Sequence, residues 1–156
     1  MAAKRSKAEP RATGNRARSL ARRLALQALY QFQLNPRSWT DIEKQFAADP
    51  EADRVDLDYF RALLQAIAPN REALDLRLSA LCEIPPQELD PIEHAVLWLG
   101  LHELLSHPEL PYRVALAEAV QLTKQFGATD GHKFVNAVLD RAARELRPHE
   151  YSRDGD

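Results

Sequence analysis

An all-α fold, about seven short helices arranged as two packed bundles, is what this 156-residue sequence predicts. Three observations point there. Apolar residues recur at helical spacing along most of the chain. No segment alternates apolar and polar residues as a half-buried strand does, and no hairpin turn occurs. Prolines at 36, 69, 85, 86, 111 and 148 punctuate the apolar stripes.

Residues 1–15 lack periodicity and contain Pro10 and Gly14, so they are expected to form a flexible basic arm. From Arg16 a helical pattern runs to Leu34, where Asn35-Pro36 stops it. Its first turns are rich in arginine, whereas Leu24, Leu26, Leu29, Tyr30 and Phe32 lie nearly all round the axis near its end. A helix apolar on every side is normally buried, so this one should emerge basic and finish in the core. Thr40 and Glu43 have capping-box spacing and predict a short second helix with Ile42 and Phe46 as its apolar side. Phe60, Leu63, Leu64 and Ile67 mark a third helix, which Pro69 should kink or break. Leu74, Leu78 and Leu81 then resume the stripe until Pro85-Pro86.

Asp90-Pro91 sets a good N-cap before a proline at the first helical position. The run Ile92–Leu105 that follows has the composition of a central helix. Pro111 opens the next helix, carrying Val114, Leu116 and Val120 and closing at Gly127 with Lys124 in its last turn. Asp130 is expected to cap the last helix, whose stripe is Val135, Val138, Leu139, Ala142 and Leu146. The folded domain is thus expected over 16–147, with 148–156 a disordered tail.

Hydrophobic content of 45% is ordinary for a globular protein. No apolar run approaches the roughly 20 residues needed to span a bilayer, and no hydrophobic leader opens the chain. Cys82 is the single cysteine, too little for an internal disulfide or a thiolate metal cluster and in keeping with a reducing compartment. A cytoplasmic protein without a membrane partner is expected.

The net charge of −2 conceals an asymmetry. Residues 1–23 hold eight of the 21 basic side chains and only Glu9 of the 23 acidic ones, a charge of +7; the remainder stands at −9. Such a split points to a nucleic-acid or membrane partner for the basic end.

Enzyme motifs fail on inspection. The segment from His102 to His107 resembles a zinc-protease H-E-x-x-H with one residue too many. Histidines five apart on a helix diverge by about 140° and cannot share an ion, so solvent-facing or capping roles fit them better. Asp56 and Asp58, two apart in a helical segment, face different ways and read as solvated surface. No nucleophile elbow or phosphate loop occurs. No catalytic residue, metal ligand or cofactor is assigned.

Arginine suits RNA because its planar guanidinium bonds phosphate in bidentate fashion and stacks on unpaired bases. On the first helix Arg18 and Arg22 form an i, i+4 pair on one face, and Arg16 and Arg23 lie on another. Composition leaves RNA binding and a merely solubilising tail about equally open. An Arg-rich transit peptide is disfavoured because the basic run continues into the first core helix. A membrane-surface helix is disfavoured because its apolar side is needed in the core.

The order of five segments decides between these. Phe126 to Asp140 (FGATDGHKFVNAVLD) resembles the C-terminal signature of the NusB transcription antitermination family. Pro111 to Ala115 with Glu118-Ala119, Ala25 to Tyr30, Asp58 to Phe60, and Glu93 to Leu97 are similar to further family segments, in the same order over about residues 16–147. The resemblance implies two packed helical bundles, no catalysis and no cofactor. It also implies binding of boxA-type single-stranded RNA together with the ribosomal protein NusE. In the transcription elongation complex this helps RNA polymerase read through terminators, notably in ribosomal RNA operons. A homodimer that hides the RNA face is a further possible state.

Carried over by position, the RNA-binding residues would be Arg18 and Arg22, with Arg16 and Arg23 as neighbours. Ser19 and Leu20 interrupt the more continuous arginine run of some members. Phe126, Asp130, Lys133 and Phe134 would form the other edge of the RNA site, where an aromatic could stack a splayed base. For Phe134 alone, periodicity favours a core position instead. Tyr30 and Glu93 resemble the NusE-binding surface. The acidic body suits a basic ribosomal protein.

Overall fold

The structure, a computed structural model, describes residues 12–35 and 38–155. The arm's basic residues Lys4, Arg5, Lys7 and Arg11 lie outside the described residues, as does Pro36.

Each of the seven expected helices forms. They are α1 (Asn15–Leu34), α2 (Trp39–Ala47), α3 (Leu57–Ile67), α4 (Arg71–Leu81), α5 (Pro91–Ser106), α6 (Tyr112–Phe126) and α7 (Gly131–Leu146). Gly14, at φ 94, turns the chain into α1 through a conformation that side chains disfavour. Pro69 sits in a single 3₁₀ turn, Ala68–Asn70, that separates α3 from α4. Asp90 caps α5 as expected, its carboxylate accepting from the amides of Ile92 and Glu93, each at 3.1 Å.

The helices pair as two bundles. α1 packs on α2 and α3, whereas α5, α6 and α7 pack on one another. α5 joins the halves, because it also lies against α1, α3 and α4. Its eleven residues from His94 to Leu104 are all buried. Gly100 permits a close approach by α7: a Cβ there would meet Leu139 Cδ1 at 2.5 Å. One continuous core runs through both halves, with Leu26, Leu29, Phe60, Leu63 and Ile67 on one side and Leu97, Leu101, Val138 and Leu139 on the other.

Four expectations need correction. Ser38, not Thr40, precedes α2; Thr40 lies inside the helix and its hydroxyl pairs with that of Ser38. Asp56 is buried rather than solvated. Its carboxylate caps α3 by accepting from Tyr59 N at 3.1 Å, and its own amide donates to Ala17 O at 3.1 Å, tying α3 to α1. Asp130 precedes α7 in the left-handed conformation (φ 67), and its side chain makes no capping bond. Finally, residues 148–155 are not a disordered tail but an eighth helix, α8 (Pro148–Gly155).

α8 is held by specific polar bonds rather than by apolar periodicity, which explains why the pattern missed it. The Glu150 carboxylate accepts from Tyr112 N and from Arg147, both at 2.8 Å. Tyr151 donates to the Asp140 carboxylate at 3.0 Å and accepts from Arg144 at 3.0 Å.

Candidate nucleic-acid interface

Four arginines begin α1, and the 3.6-residue repeat sorts them onto two sides. Arg18 and Arg22 turn toward α3. Their guanidinium carbons lie 4.6 and 5.4 Å from the Tyr59 ring centroid. There the two diverge. Arg18 stays largely exposed, 3.7 Å from the Asp56 carboxylate. Arg22 is driven into the interior, its side chain only 5% exposed.

Arg22 enters a buried polar cluster. Its Nε donates to Glu103 Oε2 at 2.8 Å, and an amino group lies 3.3 Å from Glu118 Oε1. Tyr59 donates its hydroxyl to the same Glu103 oxygen, and Ser19 donates to Glu118 at 3.0 Å. Burial by itself lowers the Arg22 pKa. The charge and hydrogen bond of Glu103, aided by Tyr59 and Glu118, outweigh it and leave the guanidinium above its ordinary value. Burial, followed by the Glu103 charge, raises the Tyr59 phenol. The cluster is therefore a charged, internally matched joint between α1, α3, α5 and α6. Arg22, expected on the RNA face, is not presented to RNA.

Arg16 and Arg23 occupy the other side of α1, and both are exposed. The Arg23 guanidinium lies 5.4 Å from the centroid of Phe126, the half-buried last residue of α6. The basic helix thereby reaches the α6–α7 link, which the resemblance implies as the other edge of the same site. In that link Gly127 N donates to Thr123 O at 2.7 Å, closing α6. Exposed Lys133 lies 3.3 Å from the exposed Asp130 carboxylate. Phe134 is half-buried and packs against the core, as its periodicity suggested.

Tyr30 and Glu93, the residues assigned to a protein partner, are both half-buried. One turn beyond Tyr30, Gln33 donates to Pro91 O at 2.9 Å, so the end of α1 meets the start of α5. Glu93 also reaches the α6–α7 link. A Cβ on Gly131 would stand 2.6 Å from Glu93 Oε2. Burial, then the charge of Asp90, raises the Glu93 pKa.

The two histidines of the false zinc motif meet edge to face, ring centroids 5.2 Å apart, with no cluster of three potential metal ligands among the described residues. His107 follows α5 as its C-cap, and its Nδ1 lies 2.9 Å from Glu109. His102 is buried rather than solvent-facing, and burial, with His107 nearby, lowers its pKa to about 4. Sequence reasoning missed Glu103 and Tyr59. The carboxylate of Glu103, flanked by apolar residues deep in the α5 run, was the available signal, since a buried charge calls for a partner.

Comparison with known proteins places these features in a family. A model described as the NusB family matches residues 19–144. The chain is 43% identical over 153 residues to a transcription antitermination protein NusB of Methylobacillus flagellatus, covering 98% of each. It is 46% identical over 132 residues to the protein of that name from Idiomarina loihiensis, covering 85% of this chain and 95% of that one. Among solved structures, T. maritima NusB superposes with a TM-score of 0.76 at 25% identity, covering 90% of this chain and 99% of that one. A chain from a crystal structure of the antitermination factors NusB and NusE in complex with dsRNA gives 0.74 at 22% identity, covering 85% and 99%. At that identity the second likeness speaks for the fold.

Proposed function

The chain belongs to the NusB family, and from that premise we propose that it is an RNA-binding transcription antitermination factor and not an enzyme. It binds boxA-type single-stranded RNA together with NusE. As part of the elongation complex in the cytoplasm it promotes read-through by RNA polymerase, notably in ribosomal RNA operons. The observation that carries this reading is the seating of Arg23 over Phe126 at 5.4 Å. It joins an exposed basic strip to an aromatic at the α6–α7 link, the pairing of phosphate contact and stacking platform that single-stranded nucleic acid needs.

A second arrangement supports a shared RNA and protein surface. Arg16, Arg23 and Tyr30 are spaced by sevens and so fall along one strip of α1, with a drift of about 20° per step. RNA-binding charge opens the strip and the NusE-facing residue ends it. Glu93 touches the link beside Gly131, so the two binding regions adjoin. No helix among the described residues is long and apolar enough to cross a membrane.

The test is RNA affinity for a boxA-like strand against a scrambled one, at two salt concentrations, with and without NusE. A sequence preference that strengthens with NusE supports the adaptor role. Equal, salt-sensitive binding of both strands, indifferent to NusE, reduces the arginines to a generic polycation.

A further inference from the structure

A groove of about 610 Å³ runs along α1 on the side away from Tyr59. Its far wall is the end of α2 and the 3₁₀ turn Pro50–Arg54. Leu20, Leu24 and Phe46, all half-buried, supply apolar lining. Arg16, Arg23 and Arg54, all exposed, supply positive charge. Asp49 and Glu51 also line it, and the Asp49 carboxylate is fixed by accepting from Glu51 N at 2.8 Å.

The groove is not part of the arginine–Phe126 contact, yet Arg23 belongs to both. An RNA strand stacked at Phe126 and neutralised by Arg23 meets the groove mouth at once if it continues across α1. We propose that this groove is a nucleotide subsite for single-stranded RNA flanking the recognised element, with the base inserted over Leu20, Leu24 and Phe46 and its phosphates held by Arg16, Arg23 and Arg54.

The chemistry of the lining narrows the occupant. An aromatic and two leucines offer a face on which any base can lie. Three guanidiniums at the rim suit phosphate. Two carboxylates repel phosphate but accept from exocyclic amino groups, as an acidic side chain does from cytosine N4. The subsite thus favours cytidine, adenosine or guanosine over uridine. A groove of this size lies within the ordinary range of about 300–1,000 Å³ for small-ligand sites.

The inference rests on the RNA-binding reading, and the experiment separates the two. Full-length chain with NusE is titrated with a boxA-like core oligonucleotide. The same core is then extended by three cytidines, or three uridines, at either end. Binding of the core reports the function itself; the gain on extension reports the groove. Extension at one end only is expected to strengthen binding about tenfold, within the range of one stacked base, and more for cytidine than for uridine. Arg54→Ala and Leu20→Ser, checked for an unchanged thermal midpoint, should each remove most of that gain and leave core affinity within about twofold. A parent with no extension gain overturns the inference, as does a gain that survives both substitutions. So does loss of NusE affinity in the variants with the gain intact, which would make the groove a protein contact. Failure of the core itself to bind would remove the function reading and the subsite together.

Discussion

Arg22 and Glu103, 81 residues apart in sequence, meet at 2.8 Å with side chains only 5% and 2% exposed. Neighbouring Arg23, one residue along the same helix, points to solvent and lies over Phe126. One step of 100° therefore separates an arginine that holds the fold from one left exposed for the proposed RNA contact.

Removing Glu103 leaves buried Arg22 with only the part-exposed Glu118, and removing Arg22 leaves the buried Glu103 carboxylate with only the Tyr59 hydroxyl. Arg22→Ala and Glu103→Ala should each cost about 3–5 kcal/mol in urea denaturation. The double replacement Arg22→Met with Glu103→Leu should cost much less than the two singles combined. Additive losses would show that the two groups do not depend on one another.

The exposed arginines should behave in the opposite way. Arg16→Ala with Arg23→Ala is expected to leave the thermal midpoint unchanged while flattening the salt dependence of RNA binding. Two lost phosphate contacts on single-stranded RNA correspond to a slope change of about 1.4. Phe126→Ala should weaken RNA binding by roughly 1–3 kcal/mol with little effect on that slope. A steeper loss of slope for Phe126→Ala than for the arginine pair would reverse the assignment.

His102 makes stability depend on pH. Its folded pKa, about 4, lies below the ordinary 6.5 because burial disfavours the charged ring. Between those values the unfolded chain binds the proton more readily than the folded one. The contribution is therefore present above pH 6.5 and is lost as the pH falls toward 4. At roughly 1.4 kcal/mol per unit the whole effect is on the order of 3 kcal/mol. Denaturation midpoints at pH 7 and pH 5 should differ more for the parent than for His102→Gln; identical differences would remove His102 as the cause.

Gly131 tests the meeting of the two binding regions. Gly131→Ala drives a methyl against Glu93 Oε2 at 2.6 Å. The obstructing atom ends a flexible side chain, so the stability cost should stay below the roughly 1–3 kcal/mol of true overpacking. Displacing Glu93 should nonetheless weaken NusE binding several-fold, measured by calorimetry. Unchanged affinity would place Glu93 outside that contact.

Much of this architecture was legible because it depends on local rules. The period of Phe60, Leu63, Leu64 and Ile67, the stop at Pro69 and the Asp90-Pro91 start each specify their helix without help from distant residues. What escaped depends on partners far along the chain. Helical period puts Arg22 and Arg23 on different faces, but only Glu103 and Glu118 show which face is buried. α8 is short and polar, so its order comes from Tyr112, Asp140 and Arg147 rather than from a stripe. Asp130 has the composition of a cap, but the tight link before α7 puts it at φ 67, where its carboxylate faces Lys133 instead.

A buried α5 shared by both bundles leaves no seam along which one could breathe without the other. Amide protons from His94 to Leu104 should then exchange with deuterated solvent only through whole-molecule opening, at a single free energy common to the run. For the proposed adaptor, which would grip RNA and a protein at adjoining regions, this has a mechanical meaning. Tension applied between the two ligands is borne by a rigid beam, so neither grip can loosen by melting half of the molecule.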